Sequence, residues 1–105
     1  MSSDKFADLR KTLEETLTYP SVYMFKFILP ADNRKIALVE NMFGGDAEIY
    51  TKESGKGKYI SITVKEVVVS VDAIIDIYEK ASKIEGVMLI WWEFTRFKIK
   101  IFLFL

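Results

Sequence analysis

The sequence contains no cysteine and no histidine among its 105 residues. Their absence excludes disulfide bonds, thiolate-ligated zinc sites, iron–sulfur clusters, cysteine nucleophiles and every catalytic triad that uses histidine. Any chemistry would have to come from carboxylates, hydroxyls, lysines or tyrosines. No arrangement of these residues predicts a catalytic site, so we expect a protein that is not an enzyme and that binds neither a metal nor a cofactor.

The sequence also lacks an excess of either charge, since it holds fifteen basic and fifteen acidic residues. Non-specific binding to nucleic acid depends on a net positive field, so nucleic acid is a disfavoured partner. There is no run of about 18 uncharged apolar residues, and we expect no membrane span. The first ten residues lack the basic-then-apolar layout of a signal peptide, which makes a cytoplasmic location the expectation.

Half of the residues are hydrophobic and 14% are aromatic, enough for a real core in one domain. Hydrophobic periodicity predicts seven elements in order: a helix at 4–17, a strand at 22–29, a helix capped by Asp32 and stopped by Gly44-Gly45, strands at 47–53 and 58–68, a helix capped by Ser70, and a strand at 87–92. After the first helix the order is βαββαβ, the ferredoxin-like α+β fold with a four-stranded antiparallel sheet. Its two helices should cover one face of the sheet.

We therefore divide the chain into an N-terminal helix (1–18), a ferredoxin-like domain (19–92) and an apolar C-terminal extension (93–105). The segment 91–105 is very apolar, and Phe97 to Ile101 alternates like a strand. Three interpretations stay open. The segment is an added edge strand, which could be exchanged between protomers, or an abnormal tail such as a frameshift produces. The least favoured interpretation is a membrane-surface anchor.

The stretch from Glu53 to Val64, ESGKGKYISITV, alternates glycine with lysine and raises the question of a phosphate or RNA site. A P-loop needs wider glycine spacing and a following helix, but Gly55 and Gly57 are close together and a strand follows. An RNA-recognition strand would place stacking aromatics where Lys58 and Ile60 stand. The pattern therefore favours the turn of a β-hairpin.

The face of the sheet without helices is predicted to be too apolar to be simply solvated. The preferred interpretation is that the N-terminal helix or a second copy of the sheet covers it. The alternative is a surface that binds a partner or a small anion near Lys26. The candidate residues for a ligand or partner surface are Met24, Lys26, Ile28, Tyr59, Ser61, Thr63 and Lys65.

Segments covering about residues 19–90 resemble, in order and spacing, the YbeD-like family of small bacterial domains. The resemblance rests on Tyr19-Pro20, Phe25-Lys26-Phe27, the hairpin Ser54–Val64, Ile77-Tyr78 and the strand Val87–Ile90. It implies a ferredoxin-like fold similar to the small-molecule-sensing ACT domains, and it implies no established activity. Members often carry a histidine near the first helix, which this chain lacks, and residues 91–105 extend past the usual end of the family.

These observations favour an uncharacterised, non-enzymatic regulatory or protein-interaction domain, with small-molecule sensing in the manner of ACT domains as one form. We expect a homodimer or another homo-oligomer, or a complex with a different protein, and a small-molecule ligand is compatible with both. Two alternatives stay open, because this fold hosts many functions. They are a small dimeric enzyme with a polar pocket between sheet and helices, and RNA binding through the open sheet face.

Overall fold

A computed structural model describes residues 6–94 and 99–104, with side chains described for residues 6–90. Over these residues the chain forms three helices and five strands: α1 (Ala7–Thr16), β1 (Ser21–Pro30), α2 (Asn33–Glu40), β2 (Glu48–Glu53), β3 (Tyr59–Val68), α3 (Val71–Ala81), β4 (Met88–Phe94) and β5 (Ile99–Phe104). The strands make one antiparallel sheet in the order β2-β3-β1-β4-β5. The first four strands give the predicted ferredoxin-like α+β fold.

Both helices of the ferredoxin-like unit begin at the predicted capping side chains. Asp32 Oδ1 accepts a hydrogen bond from the Arg34 N–H at 2.8 Å. Ser70 Oγ accepts one from the Ala73 N–H at 3.2 Å. Each cap satisfies a backbone donor that has no partner within the helix, which fixes where the helix starts.

The end of α2 differs from the prediction, since the helix stops at Glu40 and not at the glycine pair 44–45. Beyond it the chain turns inward, and the ring of Phe43 lies 5.1 Å from that of Phe25 on β1. The Gly44 N–H then donates to Glu66 Oε2 of β3 at 3.1 Å. Packing of an aromatic ring onto the sheet therefore ends the helix earlier than the glycines would.

The glycine–lysine stretch is the connection of a β-hairpin, as predicted. The Ser54 N–H donates to the Tyr59 carbonyl at 2.8 Å, and the Gly57 N–H donates back to the Ser54 carbonyl at 2.9 Å. Gly57 has a φ of +69°, a conformation that glycine adopts without steric cost. The backbone groups of this stretch are thus used to close the turn between β2 and β3.

The core lies between the sheet and the helices. Alternate residues of β1 and β3 point into it, together with Leu89 and the inner side of α3, and all of the following are buried: Phe25, Phe27, Leu29, Ile60, Ile62, Val64, Ile74, Ile75, Tyr78, Ala81 and Leu89. Burying one such large side chain stabilises the fold by about 1.5–3 kcal/mol. The strands therefore hold their register, because a slip of one residue would turn this set towards solvent.

The helix α1 packs on the same side of the sheet as α2 and α3. Its apolar stripe of Phe6, Leu9 and Leu13 is buried. The Phe6 ring lies 6.0 Å from that of Tyr78, and Arg10 Nη1 contacts Asp72 Oδ1 of α3 at 2.5 Å. The expectation that the N-terminal helix covers the open face of the sheet is therefore wrong, because α3 and the core already bury its stripe.

The ladder between β1 and β4 is short and is supplemented by tyrosine hydroxyls. It has three pairs, centred on Phe27↔Leu89, whereas β1 and β3 share ten. Next to its end, the Tyr78 hydroxyl donates to the Ile90 carbonyl at 3.3 Å and lies 3.0 Å from the Tyr23 hydroxyl. Since Tyr78 gives its proton to the carbonyl, Tyr23 donates to Tyr78. The chain of hydroxyls joins β1, α3 and β4.

The C-terminal extension contributes β5, which pairs with β4 from Leu89↔Phe104 to Phe94↔Ile99. It lies at the edge of the sheet of its own chain, which is one of the interpretations given above. Residues 95–98 and 105, including part of the alternating stretch, lie outside the described residues. The domain boundaries at 18/19 and 92/93 stay a prediction.

Gly86 provides a test of the connection between α3 and β4. Its φ is +83°, and an added Cβ would lie 2.9 Å from Cγ of Pro30, a rigid ring. We expect Gly86→Ala to lower the free energy of unfolding by about 1–3 kcal/mol in urea denaturation. Gly45→Ala is the control, because a Cβ added at Gly45 would meet no other residue's atoms within 4 Å, and the φ of Gly45 is not in the left-handed region. Equal effects of the two substitutions would contradict this account.

The buried tyrosines predict a loss of stability in alkali. Burial raises the pKa of Tyr23 from 10.0 to about 12. The fold thus favours the neutral phenol, and this stabilisation is complete below about pH 10 and is lost as the pH rises towards 12. We expect Tyr23 to lower the free energy of unfolding by about 2–3 kcal/mol over that range, measured by urea denaturation at stepped pH. Tyr78, whose pKa burial also raises, adds to the decline.

Substitution of Tyr23 by phenylalanine removes the titrating group and should shrink this decline. Tyr59→Phe, which alters an exposed tyrosine on β3, is the matched control and should keep the full decline. A decline of the same size in Tyr23→Phe and in the unaltered chain would show that Tyr23 is not its source.

Candidate functional site

The seven residues predicted to form a surface all lie on the side of the sheet opposite the helices. Within the ladder of β1 and β3, the pairs are Met24↔Lys65, Lys26↔Thr63 and Ile28↔Ser61, and Tyr59 is opposite Pro30. Residues directly opposite each other in an antiparallel ladder share a face. The structure therefore brings all seven together, and whether the surface binds a ligand or partner stays a prediction.

Strand β2 extends this surface with residues that the sequence prediction did not include. The ladder of β2 and β3 places three of them on the same face, opposite Lys65, Thr63 and Ser61 respectively: Glu48, Tyr50 and Lys52. With the turn placed at residues 54–59, alternation of side chains along β2 determines which residues of β2 lie on the open side. The sequence alone could therefore have predicted these three residues. We define the open face as the residues of β1, β2 and β3 on this side: Val22, Met24, Lys26, Ile28, Glu48, Tyr50, Lys52, Tyr59, Ser61, Thr63, Lys65 and Val67. Beside it, Met88 and Ile90 of β4 stand opposite Ile28 and Lys26.

Large apolar side chains are exposed on the open face although they belong to inner strands of the sheet. Val22 is 64% exposed, Met24 41%, Tyr59 46% and Val67 60%. Val68, the neighbour of Val67 on the other face, is buried. Val22, Met24 and Val67 adjoin one another in the ladder, and contiguous apolar surface on a folded domain is typical of interaction sites.

The charged groups of the open face are mostly basic. Besides Lys26, Lys52 and Lys65, the face carries one carboxylate, that of Glu48. Glu48 Oε1 accepts a hydrogen bond from the Tyr50 hydroxyl at 2.7 Å. That hydrogen bond raises the pKa of Tyr50. Lys65 Nζ lies 5.9 Å from the centre of the Tyr50 ring, within the range of a cation–π contact. A small polar network thus occupies the β2 side of the face.

None of these lysines takes part in the ion pairs formed among the side chains of residues 6–90. Those pairs are Arg10–Asp72 and Lys80–Asp76, and both lie on the helix layer. Neighbouring residues on the face, Ser61 and Thr63, contribute neutral hydroxyls. The open face therefore carries positive charge that the described carboxylates do not balance.

A shallow groove of about 450 Å³ lies between α1 and α3, lined by Arg10, Ser70, Asp72, Ala73, Ile75, Asp76 and Glu79. Asp72 is paired with Arg10, and Asp76 with Lys80 at 3.0 Å. The groove lies on the helix layer and not between the sheet and the helices, where the enzyme alternative requires a polar pocket. Within the described residues no cluster of three or more acidic side chains could hold a metal ion.

The helices of the described part of the chain have 10, 8 and 11 residues. None of them is long and apolar enough to cross a membrane.

Comparison with known proteins identifies the family. The family model described as "Protein of unknown function (DUF493)" matches residues 14–90. A UPF0250 protein of Shewanella amazonensis is 34% identical over 83 residues, which cover 75% of this chain and 94% of the relative. A UPF0250 protein of Shewanella putrefaciens is 36% identical over 78 residues, with 70% and 89% covered. A third, from Shewanella oneidensis, is 32% identical over 83 residues, with 75% and 94% covered.

No solved structure matches the chain. The matched region includes both the hairpin and the strands that carry the open face. These matches confirm the resemblance to the YbeD-like domains, and the chain belongs to the DUF493 family of proteins of unknown function.

Proposed function

We propose that the protein is a non-enzymatic regulatory or protein-interaction domain of the cytoplasm that binds a partner through the open face. The observation that carries the proposal is the exposure of Val22, Met24, Tyr59 and Val67 on strands that form the middle of the sheet. Covering each of these side chains would stabilise the complex by about 25 cal/mol for every Å² of apolar surface removed from water.

The position of these side chains also suits binding. They stand on β1 and β3, which share ten paired residues and whose opposite face is fixed by the core. Less conformational entropy is lost when a partner contacts a surface that is already rigid. Tyrosine and methionine, both present here, are enriched in protein interfaces. The occupant is either a second copy of the chain, giving a homodimer, or a different protein.

Site-directed photocrosslinking in cells tests this proposal. We expect Val67→p-benzoylphenylalanine to give a covalent adduct, because this side chain would face the bound partner. Leu38→p-benzoylphenylalanine is the matched control, since Leu38 is 55% exposed but lies on α2. An adduct of twice the chain mass would identify a second copy, and any other mass a different protein. Equal adducts at both positions, or none at Val67, would contradict the proposal.

Sensing of a small molecule, in the manner of ACT domains, is the second form of this proposal and is supported by the ferredoxin-like fold. A ligand that binds only the native state must raise the thermal midpoint. We expect a thermal-shift screen of amino acids and metabolites to find a stabilising compound whose effect is lost in Lys26→Ala. The same substitution at Lys83, an exposed residue after α3, is the control. A screen without any stabilising compound would count against sensing.

A further inference from the structure

The lysines of the open face are spread over three adjacent strands. Lys26 lies on β1 and Lys65 on β3, one diagonal step apart in the ladder, and Lys52 lies on the edge strand β2. Each end of this arrangement is apolar, with Val22, Met24 and Val67 at one end and Tyr59 at the other. A partner that fits must supply negative charges beside apolar side chains.

A group of acidic residues lies on the opposite side of the molecule. The outer side of α3 carries Asp72, Asp76 and Glu79, and the helix layer and the sheet separate them from the lysines. Glu48, the carboxylate on the open face, already accepts a hydrogen bond from Tyr50. The formal charge of zero thus hides a sheet face on which three lysines stand beside one carboxylate.

We propose that the open face binds an acidic, partly apolar polypeptide segment of another protein. This inference rests on the proposed function and names its partner class. Carboxylates of the segment pair with Lys26 and Lys65, while its apolar side chains cover Met24 and Val67. Charge complementarity of this kind favours the correct partner and speeds its association.

A second copy of the chain fits the open face less well. A two-fold symmetric contact places the same patch on both protomers. Face-to-face packing would therefore bring together two surfaces that each carry three lysines and one glutamate. Like charges across an interface disfavour association, and Glu48 alone cannot offset three lysines. The charge pattern thus selects a different protein over a homodimer through this face.

RNA also fits the open face less well, although it is a polyanion. Binding of single strands uses aromatic rings on which bases stack. On the open side of β1 and β3 the aromatic side chain is Tyr59, at the end of the strand. The Tyr50 ring lies beneath Lys65 Nζ, and its hydroxyl is bound to Glu48, whose charge repels phosphate. The exposed valines offer no stacking surface.

NMR titration of the ¹⁵N-labelled full chain tests the inference with defined probes. The first probe is a short synthetic peptide that alternates glutamate with leucine or valine. Its controls carry lysine in place of glutamate, or serine in place of the apolar residues, and oligouridine tests RNA. We expect shifts of amides on β1 and β3 with the first peptide, and at least about tenfold weaker binding of each control. Added salt should weaken the binding.

Charge reversal provides the matched variants. We expect Lys26→Glu with Lys65→Glu to weaken binding of the acidic peptide by about tenfold or more. Lys11→Glu with Lys83→Glu makes the same change in net charge away from the face and should bind as the unaltered chain does. Lys26→Gln with Lys65→Gln, a milder pair, should show a smaller loss and serves if the reversal prevents folding.

The outcomes separate the two proposals. Tighter binding of the lysine peptide on the open face would overturn the acidic-segment inference and leave the proposed protein-interaction surface standing. So would shifts of these amides with protein concentration alone, together with a dimer mass in light scattering. Tighter binding of oligouridine there would overturn both proposals. If no probe and no second copy perturbs the open face, both proposals are wrong.

Discussion

The fold depends on Tyr78, whose side chain connects four elements from the centre of the core. Its ring lies 6.0 Å from Phe6 next to α1 and 5.6 Å from Phe25 of β1. Its hydroxyl donates a hydrogen bond to the Ile90 carbonyl of β4 and accepts one from the Tyr23 hydroxyl. A buried hydroxyl without a partner would cost about 1–3 kcal/mol. These bonds therefore fix how α3 is placed over the short β1–β4 ladder, and the remaining helices pack around that placement.

This arrangement decides which face of the sheet stays open. With Tyr78 and its aromatic neighbours on one side, the apolar stripe of α1 finds its cover beside α3 and does not need the far side of the sheet. The ion pair between Arg10 and Asp72 fixes the same docking from the surface. All three helices then lie on one side of the sheet. The apolar residues on the other side of β1 and β3 face solvent because no helix is left to cover them.

Local patterns predicted much of this structure from the sequence. Two caps, at Asp32 and Ser70, depend on residues within three positions, and the alternation in β1 and β3 placed all seven candidate residues on one face. Non-local contacts account for the failures. The amphipathic pattern of α1 shows that one side of the helix must be buried, but it does not show which surface buries it. The end of α2 depends on the contact of Phe43 with β1. No local pattern reports such contacts.

The charge of the chain shows why composition was an incomplete guide to its partners. Fifteen positive and fifteen negative residues cancel in the sum, and that sum argues against polyanions. A partner, however, responds to charges within about one Debye length, roughly 10 Å at ordinary salt, which is about the thickness of one packed layer. The lysines of the open face and the carboxylates of α3 lie on opposite sides of such layers. A partner on the sheet therefore meets a basic surface, although the whole molecule is neutral.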